Sequence, residues 1–349
     1  MSADHKHGVY LSVIQVIRLL SALLLVAGCA GKTLDDSPPA IAPAQPADSP
    51  PTSRAPAGVR RALAVRPRAA IFDGRTALLV TLSPGPEPSA PAKMVTLSLG
   101  QTSQRVIDVP GPATGLSGDN NGTAYLSTRG GYVVVDLAAG RAVRVGVHDA
   151  DDVDFTAITR LSSGAIVLGT ANGKLFTLNP GATEARRADI RAHVGSLAAQ
   201  GDTVAVLDRE QTSVTTVGAD GTIGQSLRAG QGATTMVTDP AGRLLVTDTR
   251  GGQLLVFGVD PLILRQAYPV PQSPYGVTGS RGLTWVSQTS ANIVIGYDLS
   301  TGIPLEKVRY PTVRQPNALA FDDATGTLYV VSGSGEGVQI IEHAATGPR

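Results

Sequence analysis

Three arginines, Arg129, Arg209 and Arg250, stand at equivalent places in a repeating sequence. Their surroundings read Ser127-Thr128-Arg129-Gly130, Asp208-Arg209-Glu210-Gln211 and Asp248-Thr249-Arg250-Gly251. Thr170-Ala171-Asn172-Gly173, Ser287-Gln288-Thr289 and Ser332-Gly333-Ser334 fill the same place without a cation. A guanidinium presents a planar fork of donors that matches carboxylate and phosphate oxygens. Gln231, Tyr275, Gln315 and Asn317 lie in adjoining connections, so repeats in register bring all of them to one face. Converging polar groups of this kind suit an anionic or sugar-like ligand. The same residues also describe a hydrated surface of Asp–Arg pairs, each worth little. Both readings stay open.

Other chemistry is sparse. There is no Gly-x-Ser-x-Gly elbow, P-loop, His-Glu-x-x-His or Cys-x-x-Cys. Beyond residue 28 the histidines are His148, His193 and His343. A pair drawn from the first two could ligate a metal, or both could be ordinary loop residues. Asp149, Asp151, Asp152 and Asp154 form an acidic turn that lacks the glycine and distal glutamate of an EF-hand loop. No catalytic residue, metal ligand or cofactor is assigned.

The elements that must position these residues are strands. Six segments repeat one pattern, with second strands such as Val204-Ala205-Val206-Leu207 and Leu328-Tyr329-Val330-Val331. Third strands follow, such as Val214-Thr215-Thr216-Val217 and Leu254-Leu255-Val256-Phe257. Short apolar and β-branched runs bounded by Gly, Asp, Asn and Ser are strands joined by hairpins. A more divergent seventh unit begins at Pro67. Equivalent first-strand positions are Ala70, Leu116, Ile158, Leu197, Met236, Val277 and Leu319, spaced 46, 42, 39, 39, 41 and 42 residues apart. Four short strands per unit of this length predict an all-β, seven-bladed β-propeller of antiparallel blades over 59–345, with 346–349 a tail. The last unit ends at His343 before a fourth strand, and Val59–Val65 has no partner in the first. That segment is expected to close the ring, because an open ring leaves an unpaired sheet edge. The Pro-rich stretch Ser83–Ala92 is expected to rise over the Arg-bearing face as a lip or a tolerated insertion. Trp285, the sole tryptophan, is expected in the core between blades.

Ahead of these units the chain changes character. Lys6 and Arg18 precede an apolar run from Leu19 to Val26, and Ala27-Gly28 precedes Cys29, the only cysteine of 349 residues. The run is eight residues, ten with Ala27-Gly28, against the roughly 20 that span a bilayer. Leu25-Val26-Ala27-Gly28-Cys29 resembles a bacterial lipobox, whose cysteine takes a diacylglyceryl group and becomes the mature N-terminus. Residues 1–28 are then a signal peptide, and the chain is held at the extracytoplasmic face of a cell membrane by its lipid. Over 29–58, Pro38, Pro39, Pro43, Pro46, Pro50, Pro51 and Pro56 alternate with Ala, Ser and Asp, which predicts an unpacked, disordered tether. Without residues 1–28 the chain is neutral, with 27 basic and 27 acidic residues. That balance argues against a nucleic-acid partner.

Pro316-Asn317-Ala318-Leu319-Ala320-Phe321-Asp322, with Gly326-Thr327-Leu328-Tyr329-Val330-Val331, resembles the blade motif of YVTN and WD40-like propellers. From lipobox through Pro-rich stretch to seven blades, the chain resembles the LppL-type conserved lipoproteins of mycobacteria. The resemblance implies an envelope lipoprotein whose propeller binds or scaffolds a protein or envelope component. It carries no activity to transfer. The alternative is a propeller hydrolase of lactonase type, with a site at the channel mouth.

Overall fold

The computed structural model describes residues 40–101 and 103–347, so the leader and Cys29 lie outside the described residues. Seven four-stranded antiparallel sheets follow one another along the chain. Blade one is Ala69–Asp73, Leu78–Ser83, Lys93–Ser98 and Gln104–Asp108, from the channel outward. Blade two is Leu116–Gly118, Thr123–Thr128, Gly131–Asp136 and Arg141–Gly146. Blade three is Phe155–Arg160, Ile166–Thr170, Lys174–Leu178 and Arg186–Asp189. Blade four is Ser196–Gln200, Thr203–Asp208, Ser213–Gly218 and Ile223–Arg228. Blade five is Ala233–Thr238, Arg243–Asp248, Gln253–Val259 and Leu262–Pro269. Blade six is Pro274–Gly279, Thr284–Gln288, Ile293–Asp298 and Leu305–Pro311.

Blade seven takes three strands from the C-terminal end, Pro316–Asp322, Thr327–Ser332 and Val338–Ile341, and its outer strand, Val59–Arg61, from the N-terminal side. The outer pair is antiparallel, with Val59 opposite Ile340 and Arg61 opposite Val338. The closing strand is three residues long, shorter than the segment to Val65 that the sequence suggested. Beyond it, the Arg61 guanidinium turns to blade one, donating to the carbonyls of Ser98 (2.9 Å), Leu99 (2.9 Å) and Gln101 (2.7 Å). One side chain thus bonds the last blade to the first.

The core follows from the stacking of blades. Second and third strands are covered on both faces, so they read as continuous apolar runs and are buried along their length. Outer strands have one wet face and carry the exposed apolar residues Val106, Val143, Ile223 and Leu305. An apolar cluster lies between each pair of neighbouring blades, including blades seven and one. Trp285 is fully buried and stacks on Phe321 between blades six and seven, at 5.6 Å between ring centres. Tyr329 stacks likewise on Phe72 between blades seven and one, at 5.5 Å. Hydroxyls stitch other seams: Thr114 donates to Phe155 O (3.0 Å), Thr156 to Val194 O (3.0 Å) and Thr247 to Tyr275 O (2.8 Å).

The Pro-rich stretch departs from expectation. From Ile41 to Gly58 it is laid along the ring, against the disordered tether expected over 29–58. Ile41 N–H donates to Glu210 O (2.9 Å), Ala47 N–H to Ser273 Oγ (3.0 Å), and Ala57 N–H to Pro311 O (3.1 Å). Asn292 Nδ2 donates to Pro50 O (2.8 Å). Ser49 is buried, its hydroxyl donating to Thr289 O (2.6 Å) and accepting from Gln315 N–H (2.8 Å). The segment walks over blades four, five and six before descending as the outer strand of blade seven. Its prolines explain how a segment without secondary structure docks. Each fixes its own φ and removes a donor, so little chain entropy is lost and few N–H groups need partners.

Candidate functional site

The loops between second and third strands crown one face, together with the connections that enter the inner strands. Their shape depends on buried carboxylates. Asp248 is wholly buried and accepts N–H bonds from Gln231 (2.9 Å), Gly232 (2.8 Å) and Gly251 (2.9 Å). Asp208 accepts from His193 (2.8 Å), Glu210 (2.8 Å) and Gln211 (2.8 Å). Each carboxylate ties its own loop to the strand entry beside it. Gly230 and Gly251 press so closely on Asp248 that a Cβ at either would collide with the carboxylate, and Gly230 also has φ +77°. These two aspartates are scaffolding, and they orient the arginines that follow, Arg209 and Arg250.

A cavity of about 1100 Å³ opens at the centre of this face. Arg209, Tyr275 and Asn317 line it. Arg66, Arg68 and Lys93 line it too, from blade one and the connection leading into it. The inner strands add apolar residues, including Ile71, Val237, Val277 and Leu319, and the hydroxyls of Thr234 and Thr235. The mouth is bounded by Pro84, Gly85, Pro86 and Pro91 of the blade-one loop and by Gln45 and Pro46 of the docked N-terminal segment. Among the described residues, no Asp, Glu or His lines the cavity. Arg66, Arg68, Lys93 and Arg209 form no ion pair among the described residues. Arg209 Nη2 donates to Ala44 O (2.6 Å), while its Nε is buried without a partner among the described residues.

Of the six residues read from the sequence as ligand-binding, three therefore share one cavity. The other three are engaged elsewhere. Arg129 lies outside the cavity lining and pairs with Asp152 (2.9 Å) and, more distantly, Asp154 (4.0 Å). Its pKa is raised above the usual arginine value by the hydrogen bond to Asp152 and by the charges of Asp154 and Asp152. The acidic turn weighed as a cation site is this arginine's counterion. Arg250 donates to Ala42 O (2.8 Å) and Gln231 O (3.2 Å). Gln315 holds the docked segment, accepting from Ser49 N–H and donating to Ala47 O (3.2 Å).

The histidines do not come together as a pair. His148 Nδ1 lies 3.3 Å from Asp149, and His193 Nε2 lies 3.9 Å from Glu210. His343 sits beside the inner hairpin of blade seven, where Ala344 N–H bonds Gly326 O (2.8 Å). Among the described residues, no group of three His, Cys, Asp or Glu is placed to hold a metal ion.

Arg66, Arg68 and Lys93 escaped the sequence reading because the loops between second and third strands drew attention to the arginines there. Arg66-Pro67-Arg68 enters the first inner strand, and Lys93 follows the Pro-rich loop. Both places belong to the same face by the blade rule that put Tyr275 and Asn317 there.

The chain matches no protein-family model and no curated protein. Solved structures resemble it in fold. A streptogramin B lyase superposes with a TM-score of 0.66 at 12% identity, covering 81% of this chain and 96% of the lyase. A Kuenenia stuttgartiensis hydrazine synthase chain gives 0.63 at 12%, covering 83% and 99%. A chain of the mitotic checkpoint complex gives 0.65 at 10%, covering 90% and 98%. At such identities the likeness concerns the seven-bladed propeller and carries no activity across.

Proposed function

We propose that this chain is a lipid-anchored, extracytoplasmic propeller that binds a protein or envelope component through its loop-rich face. The observation that carries this reading is the channel-mouth cavity, with four cations and no carboxylate or imidazole among its described lining residues. Such a site can bind and orient an anion, and its described lining residues include no carboxylate or imidazole to act as general acid or base. The lactonase alternative calls for acidic or imidazole groups converging on the axis, and the lining does not supply them. The membrane address rests on the Leu25–Cys29 string.

Crosslinking on intact cells, followed by capture of the propeller, tests the reading. A specific partner that is lost on Arg209→Gln is expected. Recovery of none, together with lactone turnover by the purified chain, would overturn it in favour of the hydrolase.

A further inference from the structure

We infer, on the binding-module reading above, that the cavity takes an organic ligand carrying at least two separated anionic groups, phosphate or carboxylate, on a partly apolar frame. Charge sets the sign. Four basic side chains line one cavity, and no described acidic residue lines it to neutralise them. Elsewhere this protein does neutralise exposed cations of its loop face, as Asp152 does for Arg129 at 2.9 Å. The contrast marks the cavity as different from an ordinary hydrated loop surface.

Placement sets the spacing of the anions. Arg66, Arg68 and Lys93 belong to blade one and its entry, while Arg209 belongs to blade four. Blades three steps apart in a seven-membered ring face each other across the channel, so a single small anion serves only one side. A cavity of about 1100 Å³ likewise exceeds the need of a lone phosphate and matches the upper range of organic-ligand sites. Between the charged walls the lining is mixed, with Ile71, Val277 and Leu319 beside Thr234 and Thr235, so the connecting frame meets both hydrocarbon and hydroxyls. Arg209 is the fixed member, held through Ala44 O at 2.6 Å with its Nε buried and unpartnered among the described residues. Arg66, Arg68 and Lys93 are exposed and form no ion pair among the described residues.

The test uses the full chain in detergent micelles at low salt, titrated calorimetrically with inositol hexakisphosphate and with dioctanoyl phosphatidylinositol 4,5-bisphosphate, both of which carry separated phosphates. Inositol and dioctanoylglycerol serve as uncharged controls. Both phosphorylated probes, or one of them, should bind and raise the melting temperature by about a few degrees, and the controls should not. Preference for the phosphoinositide points to a lipid-borne phosphate, and preference for inositol hexakisphosphate to a soluble one. The double variant Arg66→Gln/Arg68→Gln and the single variant Arg209→Gln should each weaken binding about tenfold or more. Arg129→Gln should leave it unchanged, and added salt should weaken it. If the double variant fails to fold, Lys93→Gln, an exposed change, takes its place with the same expectation. Binding of neither phosphorylated probe, or binding indifferent to the cavity variants, overturns the inference. A crosslinked partner that survives in that case leaves the binding-module reading standing.

Discussion

Asp248 shows what the loop-rich face demands of single residues. Its carboxylate satisfies three backbone N–H groups in a site that water does not reach. Asp248→Ala should cost about 2–4 kcal/mol in urea unfolding and should free Arg250 from Ala42. Tyrosines report on the core in the opposite sense. Burial holds the Tyr297 phenol protonated and pushes its pKa up to about 12, with the Glu306 charge adding to the effect. Tyr329 is raised in the same direction, mainly by burial. A phenol whose folded pKa lies above its unfolded value of about 10 contributes fully below pH 10, and that contribution is lost as pH rises through the folded pKa. Stability should therefore decline above about pH 10, and Tyr297→Phe should flatten that decline in pH-dependent melting curves. Among the described residues Tyr329 Oη is buried with no partner, so Tyr329→Phe should cost nothing measurable and should also reduce the alkaline loss. A large destabilisation by that variant would mean an unseen hydrogen bond.

At the scale of elements, the N-terminal segment has two jobs that truncation separates. Ser49 links it to Thr289 and Gln315 through one buried hydroxyl. Ser49→Ala should cost about 1–2 kcal/mol and should speed hydrogen exchange at Ala47 and Gln315 and protease cleavage within 41–57. Removing residues 1–56 should lower the melting temperature modestly and leave a monomeric ring. Removing residues 1–62 takes away Val59–Arg61 and bares the edge of Val338–Ile341. That shorter chain should self-associate in size-exclusion chromatography. Equal behaviour of the two truncations would show that the three-residue strand is not the closure. The register of blades was legible because second and third strands repeat as apolar runs near 40 residues apart. Docking of 41–58 was not, because proline composition reports the stiffness of a segment and says nothing of the surface that receives it.

At the scale of the whole molecule, the proposed anchor and the proposed binding face are joined by a short length of chain. Ile41 is bonded to blade four, and eleven residues separate it from Cys29. Such a length reaches at most about 40 Å, which on the proposed anchoring bounds the distance from the lipid to Ile41. Cys29→Ser should shift the protein from the membrane to the soluble fraction with an unchanged melting curve, and an unfolded product would contradict the separation of anchor from ring. The sequence by itself determined the seven-bladed all-β architecture, because hairpin punctuation and strand burial are local and repeat in step. It also contained the near balance of charge, +1 over the whole chain, and the Leu25–Cys29 string. Tertiary structure alone decided which cations share a space. Arg129 and Arg209 occupy equivalent repeat positions, yet one is held by its own acidic turn and the other faces the channel. Arg66, Arg68 and Lys93 join Arg209 from the opposite side of the ring, more than a hundred residues away in sequence. Repeat register assigns a side chain to a face, and only the closed ring sets the neighbours it meets there.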